Sequence, residues 1–129
     1  MSDILSALRD NNFFMGMQGA SFEEVESAQT TLQLSFADDY SIYVREYGIA
    51  SFEGHELTGI CNSKRLNVVD VTKNARESIL SFPKDLYVVE ETNIDDIIIC
   101  QDCTGAVYQT APNAEPVKIA DNLCDYINM

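Results

Sequence analysis

The chain has 129 residues, of which 46% are hydrophobic and 22% are charged, and its formal net charge is −13. This length and composition predict one globular domain over residues 1–129, with a core large enough to fold without a metal or a disulfide. The acidic residues are spread along the chain, and lysine and arginine form no cluster. These features exclude direct binding to nucleic acid or to an anionic membrane as the expected function. The N-terminal segment has neither a basic region nor a long apolar run, so we expect a cytoplasmic protein with reduced cysteines.

The first two predicted helices lie in "SDILSAL" and "SFEEVESAQTTLQL". Ser2 is predicted to cap a short helix in "SDILSAL". Ser21 and Glu24 have the spacing of a capping box, which predicts the start of a second helix. Four apolar residues at helical spacing predict one buried stripe on that helix: Phe22, Val25, Ala28 and Leu32.

A third helix is predicted in "SFADDYSIYVREYG". Ser35 is its predicted N-cap, and Gly48 is a natural residue for its end. The apolar face of this helix is predicted to consist of Tyr40, Tyr43, Val44 and Tyr47.

Beyond Gly48 the pattern predicts short strands, one more long helix and a meander. "ASFEGHELTGI" predicts two strands joined by a turn at Glu53 and Gly54. "NVVDVTKNARESILSF" has helical spacing and ends before Pro83. "LYVVEE", "DDIIICQ" and "AVYQT" predict strands, of which the second is central and covered on both faces. "PVKI" predicts an edge strand and "ADNLCDYI" a final helix, so the fold class is α+β, one mainly antiparallel sheet with helices packed against it.

The segment "NNFFMGMQG" is apolar although its pattern predicts a loop. One interpretation is that it packs against the first helix or the edge of the sheet. The alternative is an exposed contact patch. We favour packing.

Cys100 and Cys103 form a C-x-x-C pair at a predicted tight turn, in which Asp102 and Gly105 are typical turn residues. Structural zinc needs four ligands, and the remaining cysteines and the single histidine are isolated in sequence. A redox pair stands where a strand meets a helix N-terminus, whereas a strand follows here. We therefore predict ordinary structural cysteines with no metal and no cofactor, and keep metal binding and redox sensitivity as alternatives.

No pattern of catalytic residues is present. The sequence has no G-x-S-x-G motif and no glycine-rich phosphate loop, and His55 is its one histidine. Adjacent acidic residues occur at 38–39, 90–91 and 95–96, but neighbours on a helix or strand point to different sides. We predict that the protein is not an enzyme.

Together, "SFEEVESAQTTLQLSFADDYSIYVREYG", "SFEGHELTGI", "LYVVEE", "IIICQDCTGAVYQ" and "ADNLCDYI" resemble the SUKH superfamily in its Smi–Knr-type branch. The resemblance covers nearly the whole chain after the segment that precedes Ser21. Phe36 departs from the pattern, because the family commonly has proline there, and we expect the change to be tolerated. The most specific part of the match is the series Leu32, Leu34, Tyr40, Tyr43, Val44, Tyr47 and Gly48.

The resemblance implies an α+β fold and, for bacterial members, an immunity role. Such a protein is made beside a polymorphic or contact-dependent toxin, which it binds and blocks in the cytoplasm. Eukaryotic relatives regulate cell-wall assembly, so a regulatory scaffold for endogenous proteins is the alternative. A small enzyme or metal sensor that uses Cys100 and Cys103 is a third possibility. The family has no invariant catalytic set, so the resemblance assigns no active-site residue.

The strong negative charge favours a basic partner such as a nuclease toxin, because such a field speeds association. The alternative is that the charge only confers solubility. A monomer or a weak homodimer is expected. The predicted partner surface has an acidic rim and aromatic anchors. The rim consists of Asp38, Asp39, Glu53, Glu56, Asp95, Asp96 and Asp102, and the anchors are Tyr40, Phe52 and Tyr108.

Overall fold

The computed structural model describes residues 3–129, which form five helices and seven strands. The predicted α+β class is confirmed. The helices are α1 (Ile4–Arg9), α2 (Phe22–Leu32), α3 (Asp38–Tyr47), α4 (Val68–Ser78) and α5 (Leu123–Ile127). The strands are β1 (Met15–Gly16), β2 (Ala50–Phe52), β3 (His55–Leu57), β4 (Tyr87–Glu91), β5 (Ile98–Gln101), β6 (Val107–Thr110) and β7 (Val117–Ala120).

The seven strands form one antiparallel meander in chain order, with β1 and β7 at its edges. Strand β5 lies inside the sheet, and all four of its residues are buried. This confirms the prediction of a central strand covered on both faces. The predicted turn at Glu53 and Gly54 joins β2 to β3, and both of its residues have positive φ. Among residues 3–129, no helix is long and apolar enough to cross a membrane.

The two faces of the sheet have different coverings. On one face, Tyr87 and Ile99 pack with Tyr40 and Tyr43 of α3 and with residues of α1 and α5; we call this the tyrosine face. On the other face, Val88, Ile98 and Cys100 pack with α4; we call this the α4 face. Neighbouring strand residues thus divide between two cores, as the pleat of a strand requires.

The second helix starts as predicted, but its apolar stripe is shorter. Ser21 accepts a hydrogen bond from the backbone N–H of Glu24, whose side chain accepts one from the Ser21 N–H. Val25, Ala28 and Leu32 are buried, whereas Phe22 is 58% exposed, so its predicted burial is wrong. Phe22 is the first residue of the helix and lies at the margin of the contact with α3.

The predicted cap of α3 is wrong, because α3 begins at Asp38 and its N-cap is Ala37, which has no side-chain hydrogen bond. Contacts from elsewhere in the fold replace a local cap. The side chain of Gln29 accepts from the N–H of Phe36 at 2.8 Å, and the Tyr87 hydroxyl accepts from the N–H of Ala37 at 2.9 Å. The predicted end at Gly48 is confirmed, with φ of 71°.

The apolar segment "NNFFMGMQG" is partly packed against the fold and partly exposed, so it has features of both interpretations given above. Met15 and Gly16 form an edge strand rather than a loop, and Phe14 packs edge-on against Tyr47 with 4.9 Å between ring centroids. Phe13, Met15 and Met17 are nevertheless exposed. Ser2, the predicted cap of the first helix, lies outside the described residues; the Asp3 side chain accepts from the backbone N–H of Ser6 at the start of α1.

Candidate functional site

A recess of about 350 Å³ lies on the α4 face, between α4 and the loop that joins β4 to β5. Its wall and floor are apolar, and its mouth is polar; we call it the α4 groove. Val71, Ala75 and Ile79 contribute from the helix, and Val88 and Ile98 contribute from the sheet. A groove of this size and lining can hold one or two apolar side chains of another molecule.

The mouth of the α4 groove is acidic. Glu91 and Asp96 line it, and Asp95 stands beside Asp96 on the same loop. All three carboxylates are exposed, and none has a cationic partner within residues 3–129. This mouth therefore presents net negative charge next to apolar surface, with Arg65 near Glu91 on one side.

The pleat of β4 directs the two adjacent glutamates, which follow a register shift between Val88 and Glu90, to different environments. Glu90 is buried on the tyrosine face, where it accepts a hydrogen bond from the Tyr126 hydroxyl and lies 2.9 Å from His55 Nδ1. Glu91 pairs across the sheet with Ile98 and lines the α4 groove. The hydrogen bond to Glu90 and burial raise the pKa of Tyr126, with burial the larger cause.

The loop that holds Asp95 and Asp96 has an unusual backbone. Asn93, Asp95 and Asp96 have φ of 60°, 53° and 59°, in the left-handed region that asparagine and aspartate tolerate better than other side chains. The Thr92 hydroxyl closes the loop by donating to the carbonyl of Ile97 at 2.7 Å. The two carboxylates thus stand on an internally hydrogen-bonded turn.

Glu56, predicted to belong to the acidic rim, lies close to this mouth but is already paired. A smaller recess lined by Glu56, Arg65, Glu91 and Asn93 adjoins the α4 groove through the last two residues. Arg65 donates two hydrogen bonds to Glu56, at 2.8 and 3.1 Å, and these lower the pKa of Glu56. A partner must compete with Arg65 for this carboxylate.

Two of the predicted aromatic anchors are inaccessible. Tyr40 has no exposed surface, and its hydroxyl is 2.9 Å from that of Thr58; burial raises its pKa. Phe52 is also buried, stacked against His55. Both predictions are wrong in this fold, because the position of Tyr40 on α3 and of Phe52 on β2 directs each ring into the core. An anchor at the α4 groove must therefore come from the partner.

The remaining predicted residues are dispersed. Asp38 and Glu53 are exposed, but Asp38 starts α3 and Glu53 lies in the β2–β3 turn. Asp39 accepts from Gln101 Nε2 at 3.0 Å and from the N–H of Leu123 at 2.8 Å, so it joins α3 to the sheet and to α5. These hydrogen bonds give Asp39 a role in the stability of the fold, so its position needs no binding partner to explain it.

Asp102 and Tyr108 lie at the opposite end of β5 from Asp95 and Asp96. The Tyr108 hydroxyl donates to Asp102 Oδ2 at 3.0 Å, and the N–H of Thr104 donates to Asp102 Oδ1 at 3.0 Å. Burial raises the pKa of Asp102, but the hydrogen bonds from Thr104 and Tyr108 outweigh it and leave this pKa lowered. The pair supports the hairpin turn and takes no part in the α4 groove.

The two cysteines of the C-x-x-C pair occupy different environments. Cys100 is buried under α4, and burial raises the pKa of its thiol to about 12. Cys103 is exposed in the predicted turn, where Gly105 has φ of 103°. At neutral pH Cys100 is therefore a thiol, and metal binding or disulfide exchange needs a thiolate. Residues 3–129 contain no group of three or more side chains arranged to hold a metal ion.

Sequence reasoning missed the groove itself. It identified Asp95 and Asp96 but not Glu91, Asn93 or the apolar wall on α4, because a recess depends on how far a loop stands from a helix. One available signal was the run "ETNIDD", in which several turn-forming residues separate two buried strands.

The structure thus combines an antiparallel sheet, one helix over one of its faces and an acid-rimmed groove beside that helix. The family model described as SMI1-KNR4 cell-wall, SUKH_5, matches residues 1–129. The chain belongs to the SUKH superfamily, as its sequence motifs predicted. A search of curated proteins found no match.

Proposed function

We propose that this chain is an immunity protein that binds and neutralises a basic toxin of the nuclease type. It acts by binding alone and catalyses no reaction. Its superfamily is known broadly for immunity and cell-wall related proteins. The observation that supports the proposal most strongly is the α4 groove, which combines an apolar wall with Glu91, Asp95 and Asp96 at its mouth. An apolar side chain flanked by lysine or arginine complements this surface.

The distribution of charge supports a basic partner. The net charge of −13 accelerates the approach of a cation-rich protein. The turn that bears Asp95 and Asp96 is closed by the Thr92 hydrogen bond before binding. Less backbone entropy is therefore lost on binding, and the two carboxylates contribute to affinity as well as to rate. The predicted mechanism is occlusion: the immunity protein covers the toxin's active site or a neighbouring surface, and no bond is made or broken.

The first experiment has two stages. The tagged chain captures its partner from the host that encodes it, under washes of increasing salt, and the partner is then expressed with or without the chain. We expect one basic protein that leaves at high salt and that stops growth when expressed alone. A partner that does not affect growth, or a chain that does not restore growth, contradicts the immunity role.

The second experiment tests the site. The double variant D95N/D96N removes two charges but keeps residues that tolerate the left-handed backbone. The control D10N/D125N removes two charges from exposed positions, one directly after α1 and one on α5. We expect the first variant to slow association about tenfold and the control to slow it less than about twofold. Equal effects contradict a specific role for the loop.

A regulatory scaffold is the second candidate, favoured by the cell-wall description of the family model. It predicts several endogenous partners whose binding is insensitive to salt. Deleting the gene would then alter growth in the absence of any toxin.

A further inference from the structure

A second groove, of about 730 Å³, lies between the outer faces of α2 and α3, away from the α4 groove. We propose that it binds a cationic amphipathic helix of a partner protein. This inference does not require that the partner be a toxin. It rests on residues that the proposed function does not use.

Two large apolar side chains on this surface lack the covering that their size leads us to expect. Phe22 is 58% exposed and Ile42 is 49% exposed, although both belong to helices whose opposite faces are well buried. The Arg45 guanidinium lies 6.0 Å from the centroid of the Phe22 ring and covers it in part. Exposed apolar side chains that are grouped in one groove, rather than scattered, indicate a contact surface.

The charge around these side chains selects the partner. Glu26, Asp38 and Glu46 line the groove, opposed by Arg45 alone. Within residues 3–129, Asp38 and Glu46 have no ion-pair partner. A second copy of this chain fits poorly, because a twofold contact would bring the same carboxylates together. An apolar segment with lysine or arginine at its margins complements both the floor and the rim.

The spacing of the groove suits a helix. Phe22, Glu26 and Gln29 form one row on α2, and Asp38, Ile42 and Arg45 form another on α3. Each row spans about 10 Å, since seven residues rise by that length in a helix. A third helix can lay two turns of side chains between two such rows.

The test uses the full chain and synthetic peptides of about 14 residues, a length at which helix formation is marginal before binding. The probe consists of leucine and lysine, arranged so that leucine forms one face of an amphipathic helix and lysine the other. One control peptide has the same composition in scrambled order, and another replaces lysine by glutamate. We expect the probe to bind at least about tenfold more tightly than either control. Equal binding by the scrambled peptide overturns the proposal, because it shows charge attraction without groove recognition.

Variants locate the site. We expect F22S/I42S and D38N/E46Q each to lower the affinity for the probe peptide about tenfold. The matched controls L80S/V117S and D10N/D125N alter exposed side chains elsewhere and should leave affinity unchanged. Unchanged binding in both groove variants, with native circular dichroism, overturns the proposal. Concentration-dependent dimers of the free chain that F22S/I42S abolishes also overturn it, because a second copy then fills the groove.

Failure here is distinguishable from failure of the proposed function. The peptide assay requires no toxin, and the growth assay requires no peptide. Loss of growth protection in D95N/D96N with normal peptide binding supports two separate surfaces.

Discussion

The two faces of the sheet differ in how completely helices cover them. On the tyrosine face, α1, α3 and α5 bury three tyrosines whose hydroxyls all have partners. On the α4 face a single long helix covers the sheet, and a groove remains beside it. Because a helix is about 10 Å wide, one helix cannot cover a twisted sheet of this breadth. The complete covering stabilises the fold, and the incomplete one leaves surface for binding.

The largest expected effect concerns the buried network of the tyrosine face. Gln101 Oε1 accepts from the Tyr87 hydroxyl at 2.6 Å, and its Nε2 donates to Asp39 and to the carbonyl of Gly105. Replacing Gln101 by alanine removes the acceptor of the Tyr87 hydroxyl, the donor to the Gly105 carbonyl and one of the two donors to Asp39. We expect a loss of more than about 3 kcal/mol in the free energy of unfolding. Gln109→Ala, at an exposed position of the next strand, is the matched control and should cost less than about 0.5 kcal/mol. Urea denaturation measures both, and similar losses would refute a structural role for the network.

The next effect concerns the α4 groove. Asn74 is exposed on α4 and lines the groove, so Asn74→Trp should fill it without disturbing the core. We expect affinity for the captured partner to fall by about tenfold or more, with unfolding free energy changed by less than about 1 kcal/mol. Calorimetry of binding and urea denaturation on the same samples separate the two quantities. If the Asn74→Trp variant binds the partner with unchanged affinity, the α4 groove is not the binding site.

A third effect separates the two cysteines. Cys100→Ser introduces a hydroxyl into the apolar cluster under α4 and should cost about 1–3 kcal/mol of unfolding free energy. Cys103→Ser, in the exposed turn, should cost less than about 0.5 kcal/mol. We expect Cys103→Ser and the less disruptive Cys100→Ala to retain partner binding. Loss of binding in both variants, with the fold intact, would favour the metal or redox alternative.

The smallest effect depends on pH. Burial raises the pKa of Asp102, but the hydrogen bonds that its ionised carboxylate accepts from Thr104 and Tyr108 leave this pKa lowered in the folded chain. These hydrogen bonds stabilise the fold at any pH above the unfolded pKa of about 3.9. The stabilisation is lost as the pH falls through the lower, folded pKa. Tyr108→Phe removes one of these bonds. The pair is partly exposed, so we expect a loss of about 0.5 kcal/mol at pH 7 that shrinks below about pH 4. A loss that stays constant from pH 7 to pH 3 would show that the tyrosine acts through packing instead.

Local chemistry was sufficient to predict most of the fold. The capping box at Ser21, the turn at Glu53 and Gly54 and the end of α3 at Gly48 all depend on nearby residues. The start of α3 does not, because Gln29 and Tyr87 satisfy the N–H groups there. Phe36 illustrates the same limit: its ring packs edge-on between Tyr40 and Tyr87, and its N–H donates to Gln29, a bond that the usual proline cannot make.

The site was less predictable than the fold. Spacing alone cannot tell whether a tyrosine on a helix faces the core or a partner, so Tyr40 was misassigned. Acidic residues were found because turns favour them, but their grouping around a groove depends on the distance between α4 and the β4–β5 loop. The packing of α4 on the sheet sets that distance. No single sequence motif encodes this packing, so the groove could not be predicted.

The most direct test is hydrogen exchange of the chain alone and bound to the partner that it captures. We predict slower exchange in α4 and in residues 92–97 on binding, with the backbone of β4 and β5 already protected in the free chain. Unchanged exchange in both segments, with protection elsewhere, would contradict the claim that the thinly covered face of the sheet binds the partner.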